Sequence, residues 1–114
     1  LSQSEGERIG RDLIQGLLIE ENALTEGDDA LLATAVSGER LEDDREGRGA
    51  PSDVSRIDSL TVVVVRDPTN PQAIPRVGLR ARGAGTDSVF ALVDVGGTYL
   101  ITEELPWGDA RTHG

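Results

Sequence analysis

The sequence contains no cysteine, no lysine and no methionine, and its 114 residues include a single histidine and three aromatic rings, Phe90, Tyr99 and Trp107. Without cysteine there can be no disulfide framework, thiolate zinc site, iron–sulfur centre or cysteine nucleophile. Compartment stays open on that evidence, because a reducing cytosol and an unstapled secreted fold both fit. The one histidine, His113, precedes the final residue, where chains fray. A Ser-His-Asp triad or a 2-His-1-carboxylate iron site needs imidazole held inside a fold, so neither is expected. With so few rings, the core must be built from Val, Leu, Ile and Ala. No apolar run approaches the roughly 20 residues of a membrane-spanning helix, and no direct membrane insertion is expected.

Positive charge is also scarce. The net charge is −10, and residues 1–50 hold 13 acids against 5 arginines. An acidic chain repels phosphate backbones and anionic headgroups, so nucleic acid is not an expected partner. All 11 basic side chains are arginine, which points to a genome rich in GC codons and not to a mechanism. A chain opening at Leu1 reads as trimmed; no signal peptide is visible in it, and one could have been removed upstream of Leu1.

What is present is clear hydrophobic patterning. Ile9, Leu13 and Leu17 recur every four residues, widened by Ile14, Leu18 and Leu24, which predicts a helix from Ser4 to about Leu24. Ser4 and Glu7 have capping-box spacing. Gly27 suits a helix stop and Asp28 or Asp29 the next N-cap, predicting a second helix over Asp29–Ser37. Residues 38–56, with three glycines, Pro51 and the acids Glu42, Asp43 and Asp44, read as an irregular charged loop.

The remainder reads as strands. Ile57–Arg66 contains four consecutive valines and ends at two prolines. Arg76–Arg82 alternates apolar with arginine. Ser88–Val95 and Thr98–Glu103 flank Gly96-Gly97, a two-residue hairpin turn. Helices followed by strands predict one α+β domain: two N-terminal helices packed on a curved antiparallel sheet of four strands or more. Its parts are a helical region 1–37, the loop 38–56, strands over 57–105 and a tail 106–114.

Two stretches resemble the nuclear transport factor 2-like (cystatin-like, SnoaL-like) superfamily. Asn22 to Ala33 looks like its helix–Gly-Asp–helix opening, and Asp94 to Thr102 like its closing hairpin, with an aromatic after a glycine turn. The resemblance implies a curved sheet wrapped around a helix. It implies no single activity, since such domains include isomerases, dehydratases, polyketide cyclases and binding or assembly modules.

Candidate sites are few. Arg76, Arg80 and Arg82 share a strand face and are candidates for gripping an anion, or for pairing with Asp94 or Glu103 across strands. Asp58, Asp94 and Tyr99 are the candidate catalytic groups, an acid beside an aromatic hydroxyl being what the family's isomerases imply. Trp107, after the last strand, is a candidate interface anchor or a cap on the open end of the core. No metal-ligand spacing stands out, and neither metal nor organic cofactor is expected. The leading expectation is a non-catalytic binding or assembly module, the soluble part of an exported or membrane-tethered bacterial protein. It would bind a protein partner, a second copy of itself or a small apolar ligand, with an extracytoplasmic location favoured over a cytoplasmic one. The alternatives are a small cofactor-free SnoaL-like enzyme and a homodimerisation domain pairing sheet faces through strands 76–82 and 88–95.

Overall fold

The first helix, α1 (Gln3–Glu26), is capped two residues earlier than expected. Ser2, not Ser4, is the N-cap, and its hydroxyl accepts from the Glu5 amide at 3.2 Å. In this structure, a computed structural model describing residues 2–49 and 52–108, α1 stops at Gly27. That residue sits in the left-handed region (φ 68°) and donates to the Ala23 carbonyl. Asp28 then caps α2 (Asp29–Leu32), its carboxylate accepting from the Leu31 amide at 3.0 Å.

The second helix is one turn, shorter than the sequence predicts. From Ala33 the chain unwinds, and Val36 forms a parallel bridge with Ile101. The reason is an unmet backbone need. The Ile101 amide donates to the Ala35 carbonyl at 3.0 Å and the Ser37 amide to the Ile101 carbonyl at 2.9 Å, which satisfies an otherwise bare strand edge.

The expected irregular loop 38–56 is corrected as well. It holds a two-turn helix, α3 (Gly38–Arg45), and a 3₁₀ turn at Val54–Arg56. Apolar periodicity could not reveal α3, because its buried positions are Arg40 and Asp44. Their i, i+4 spacing places one face inward, but that face is charged.

Four strands follow: β1 (Ile57–Val65), β2 (Arg76–Gly83), β3 (Thr86–Val95) and β4 (Thr98–Pro106). They form an antiparallel meander in the order β1-β2-β3-β4, so the expected α+β architecture, helices on a curved sheet, holds. The β2–β3 turn is only Ala84-Gly85, because Thr86 and Asp87 already belong to β3. Gly96 and Gly97 have φ of 61° and 93°, the positive values that a type I′ hairpin demands. Asp94 steadies that turn by accepting from the Gly97 amide at 2.9 Å.

The main core lies between α1, α2 and the inner sheet face. Ile9, Leu13 and Leu17 are fully buried against Leu79, Ala81, Phe90, Leu92 and Ile101, each such burial contributing about 1.5–3 kcal/mol. α1 runs close to β4 at Gly16, where a Cβ would lie 3.4 Å from Ile101 Cδ1. A second cluster covers the outer face, with Val65, Val89, Ala91 and Leu105 buried and Val63 and Trp107 against them. Trp107 therefore packs on the side away from the helices, and does not cap the open end of the main core. His113 and the end of the expected tail lie outside the described residues.

Candidate functional site

Two features stand apart from routine packing: a buried charge cluster at one edge of the sheet, and an uncovered apolar groove at the other.

The cluster forms where α1, α3 and β4 meet. Glu20, on the otherwise apolar face of α1, has no exposed surface. Arg40 grips it with two parallel hydrogen bonds, Nε to Oε2 at 2.7 Å and Nη2 to Oε1 at 2.6 Å. A third arginine nitrogen, Nη1, lies 3.6 Å from Glu104 Oε1. The guanidinium carbon also sits 5.6 Å from the Phe90 ring centroid. Ser52 and Ser88 donate to the two Glu104 oxygens at 3.1 and 2.7 Å.

Asp44 completes the cluster. It is only 6% exposed, and its Oδ2 is buried without a hydrogen-bond partner. Burial, then Glu20 alongside and Asp43, raise its carboxyl from 3.8 to about 7 against the opposing pull of Arg40. Burial also works against ionised Glu20, but hydrogen bonds with Arg40 and Asp44 and the arginine charge outweigh it, so Glu20 ionises below its ordinary value. For Arg40, burial opposes the charged form and its carboxylate neighbours more than restore it. The chemistry is an ion pair with an adjacent acid that keeps its proton near neutrality. The cleft outside it, about 320 Å³, is lined by Glu39, Arg40, Asp43, Asp44, Arg48 and Glu104 among others. Its geometry ties three elements together. Glu20 takes the Nε–Nη2 edge of the guanidinium, and Glu104 faces Nη1 on the other.

The groove runs between α1 and the β1–β2 half of the sheet. Its volume is about 940 Å³, and Gly6, Gly10, Ile14, Leu18, Leu60, Val62 and Leu79 line it. Gln3, Glu7, Arg11 and Gln15 form a polar rim. At two α1 glycines that face β1 the helix backbone comes close to the strand. A Cβ at Gly6 would meet Val62 Cγ2 at 3.7 Å, and one at Gly10 would meet Leu60 Cδ1 at 3.6 Å. Ile14 and Leu18, which widen the apolar stripe of α1, fall on this side, and Leu18 is 52% exposed. The stripe is broader than the sheet beneath it covers.

The sequence-derived candidates are scattered. Asp58 lies at one end of the sheet, in a cleft of about 630 Å³ shared with Arg82 and Asp87. Asp94 and Tyr99 are cross-strand partners at the opposite end. Asp94 is exposed and committed to the Gly97 turn. Tyr99 packs against the main core under Arg8, 5.3 Å from its ring centroid, while its amide donates to Asp12 at 3.1 Å. The three do not converge on one cavity. Arg76 pairs with Glu103. Arg80 holds Asp87 through Nε and Nη2 at 2.8 and 2.7 Å and stacks 3.7 Å above Trp107. The chain's own acids thus fill two of the three guanidinium forks proposed for an anion.

Sequence reasoning missed Glu20, Arg40 and Asp44. The available signal was Glu20 itself, an acid at a position where the α1 stripe calls for an apolar residue. Among the described residues no three or more His, Asp or Glu side chains converge as a metal requires, and no helix is long and apolar enough to cross a membrane. Comparison of the chain with protein-family models, curated proteins and solved structures found no match.

Proposed function

We propose that this chain is a non-catalytic binding module whose site is the groove between α1 and β1–β2. One observation carries the reading: a contiguous aliphatic hollow that the fold's own elements leave open, floored by Leu60, Val62 and Leu79 and walled by Ile14 and Leu18. Ligand sites are mostly apolar concavities with a few polar groups at the rim. Here the rim supplies amide and guanidinium donors from Gln3, Gln15 and Arg11, suited to the polar end of a slender apolar molecule.

The test is titration with a neutral apolar dye such as Nile red. Wild type should raise its fluorescence saturably. Leu18→Glu, which puts a charge on the hollow's wall at a position 52% exposed and keeps a good helix former, should bind at least roughly 10-fold more weakly while staying folded, because the apolar ligand then meets a charged, hydrated group. No saturable signal from wild type, or equal binding by the Leu18→Glu variant, defeats the reading.

A further inference from the structure

The sheet treats its two edges unequally. Along β4, the bridge at Val36–Ile101 and the packed α3 cover the edge. Along β1 no described segment pairs with the outer side, since its partners all belong to β2. Beyond an irregularity at its start, β1 presents an open, valine-rich edge, a template for another strand, and natural folds usually block such edges with lysine, proline, bulges or a covering segment. β1 has no lysine or proline, and Val64 is 42% exposed.

We propose that β1 pairs antiparallel with β1 of a second copy of this chain, centred on Val62, to form one continuous eight-stranded sheet. Charge picks the partner and the register. Asp58 and Arg66 lie four residues to either side of Val62. A two-fold pairing about Val62 sets Asp58 of each copy against Arg66 of the other, twice over. Among the described residues neither side chain makes an ion pair within its own chain. Shifting the centre by one residue in either direction loses both charge pairs.

Face alternation is compatible with this register. A centre on a residue pairs Leu60 with Val64 and Val62 with Val62, keeping helix-side residues together. A centre between residues would pair one face with the other. The β1 irregularity falls between Ile57 and Ser59, so the paired run is Ser59–Val65, flanked by the two charges. The arrangement is isologous and closes at two. It uses the strand edge, not the sheet faces through strands 76–82 and 88–95, and it does not depend on the groove holding a ligand.

Sedimentation velocity on the intact chain, from micromolar to millimolar concentration, tests it. Wild type should sediment as a monomer–dimer equilibrium. Asp58→Arg and Arg66→Asp, both at exposed positions, should each weaken dimerisation by roughly 10-fold, since each converts two opposed attractive pairs into repulsive ones. The combined Asp58→Arg/Arg66→Asp variant should recover wild-type association, because the pairs re-form with reversed polarity. Val64→Lys should abolish it. A strictly monomeric wild type at millimolar concentration overturns the proposal. So does a dimer indifferent to the single reversals, or one not restored by the double. Nile red binding is read separately, so failure of either proposal is visible without the other.

Discussion

Asp44 is where a single residue has the most to say. Its folded carboxyl holds a proton up to about 7, whereas the ordinary value is 3.8. Between those values the folded state binds a proton that the unfolded state has released. Stability therefore falls as pH rises across that window and levels off above it. Glu20 has the opposite sign: its lowered value contributes stability that is lost in acid. Asp44→Asn, neutral at every pH, should abolish most of the decline. Urea unfolding at pH 5 and pH 8 should show the variant's advantage over wild type growing from the lower value to the higher. Arg40 behaves differently. Arg40→Met strands the fully buried Glu20 charge and should cost about 3–5 kcal/mol, while Glu20→Leu/Arg40→Met should recover most of that, because exchanging a whole buried pair for apolar groups is often neutral. A double variant as unstable as the single one would show that the pair adds net stability.

At the scale of elements, the glycines of a helix and of a strand should respond in opposite ways to the same substitution. Gly10 is mid-helix with a Cβ-sized space beside Leu60, so Gly10→Ala should gain about 1 kcal/mol from helix propensity. Gly78 lies in β2 under the outer cluster, where a Cβ would fall 2.8 Å from Val65 Cγ2 and 3.0 Å from Val89 Cγ1. Gly78→Ala should cost about 1–3 kcal/mol by overpacking. Thermal melts of the two variants against wild type check both signs. Elements also mark how far the sequence could be read. α1 and the four strands were legible because apolar residues carry their period, 3.6 or 2, and the glycine turns carry their ends. α3 was not, because the residues it buries are Arg40 and Asp44, and burial of a charge has no signature until its partner Glu20, twenty residues earlier, is known to be adjacent. The candidate site was half legible: the Ile14 and Leu18 positions were read as apolar, but whether anything covered them is a question of sheet width that periodicity does not address.

At the scale of the whole molecule, the two sheet edges should differ in backbone dynamics. The Ile101 amide, bonded to Ala35, should exchange slowly, with a protection close to that of the core strands. In dilute solution the outward-facing amides of β1 should exchange rapidly, and they should slow as concentration rises. Hydrogen exchange at two concentrations reads both. Rapid exchange at Ile101 would mean that the bridge at Val36 is not formed. The apolar surface is likewise divided, with the larger cluster under the helices and a smaller one around Trp107 on the opposite face. Sequence patterning hinted at this through the valine run in β1, where consecutive apolar residues must serve both faces.

The short parallel contact between Val36 and Ile101 has one more effect. A meander with two bare flanks could add neighbours without end and grow into a fibre. Three residues of unwound helix seal one flank, so strand-to-strand growth that starts at the other has nowhere to continue. A few backbone bonds thus separate a countable complex from an insoluble ribbon.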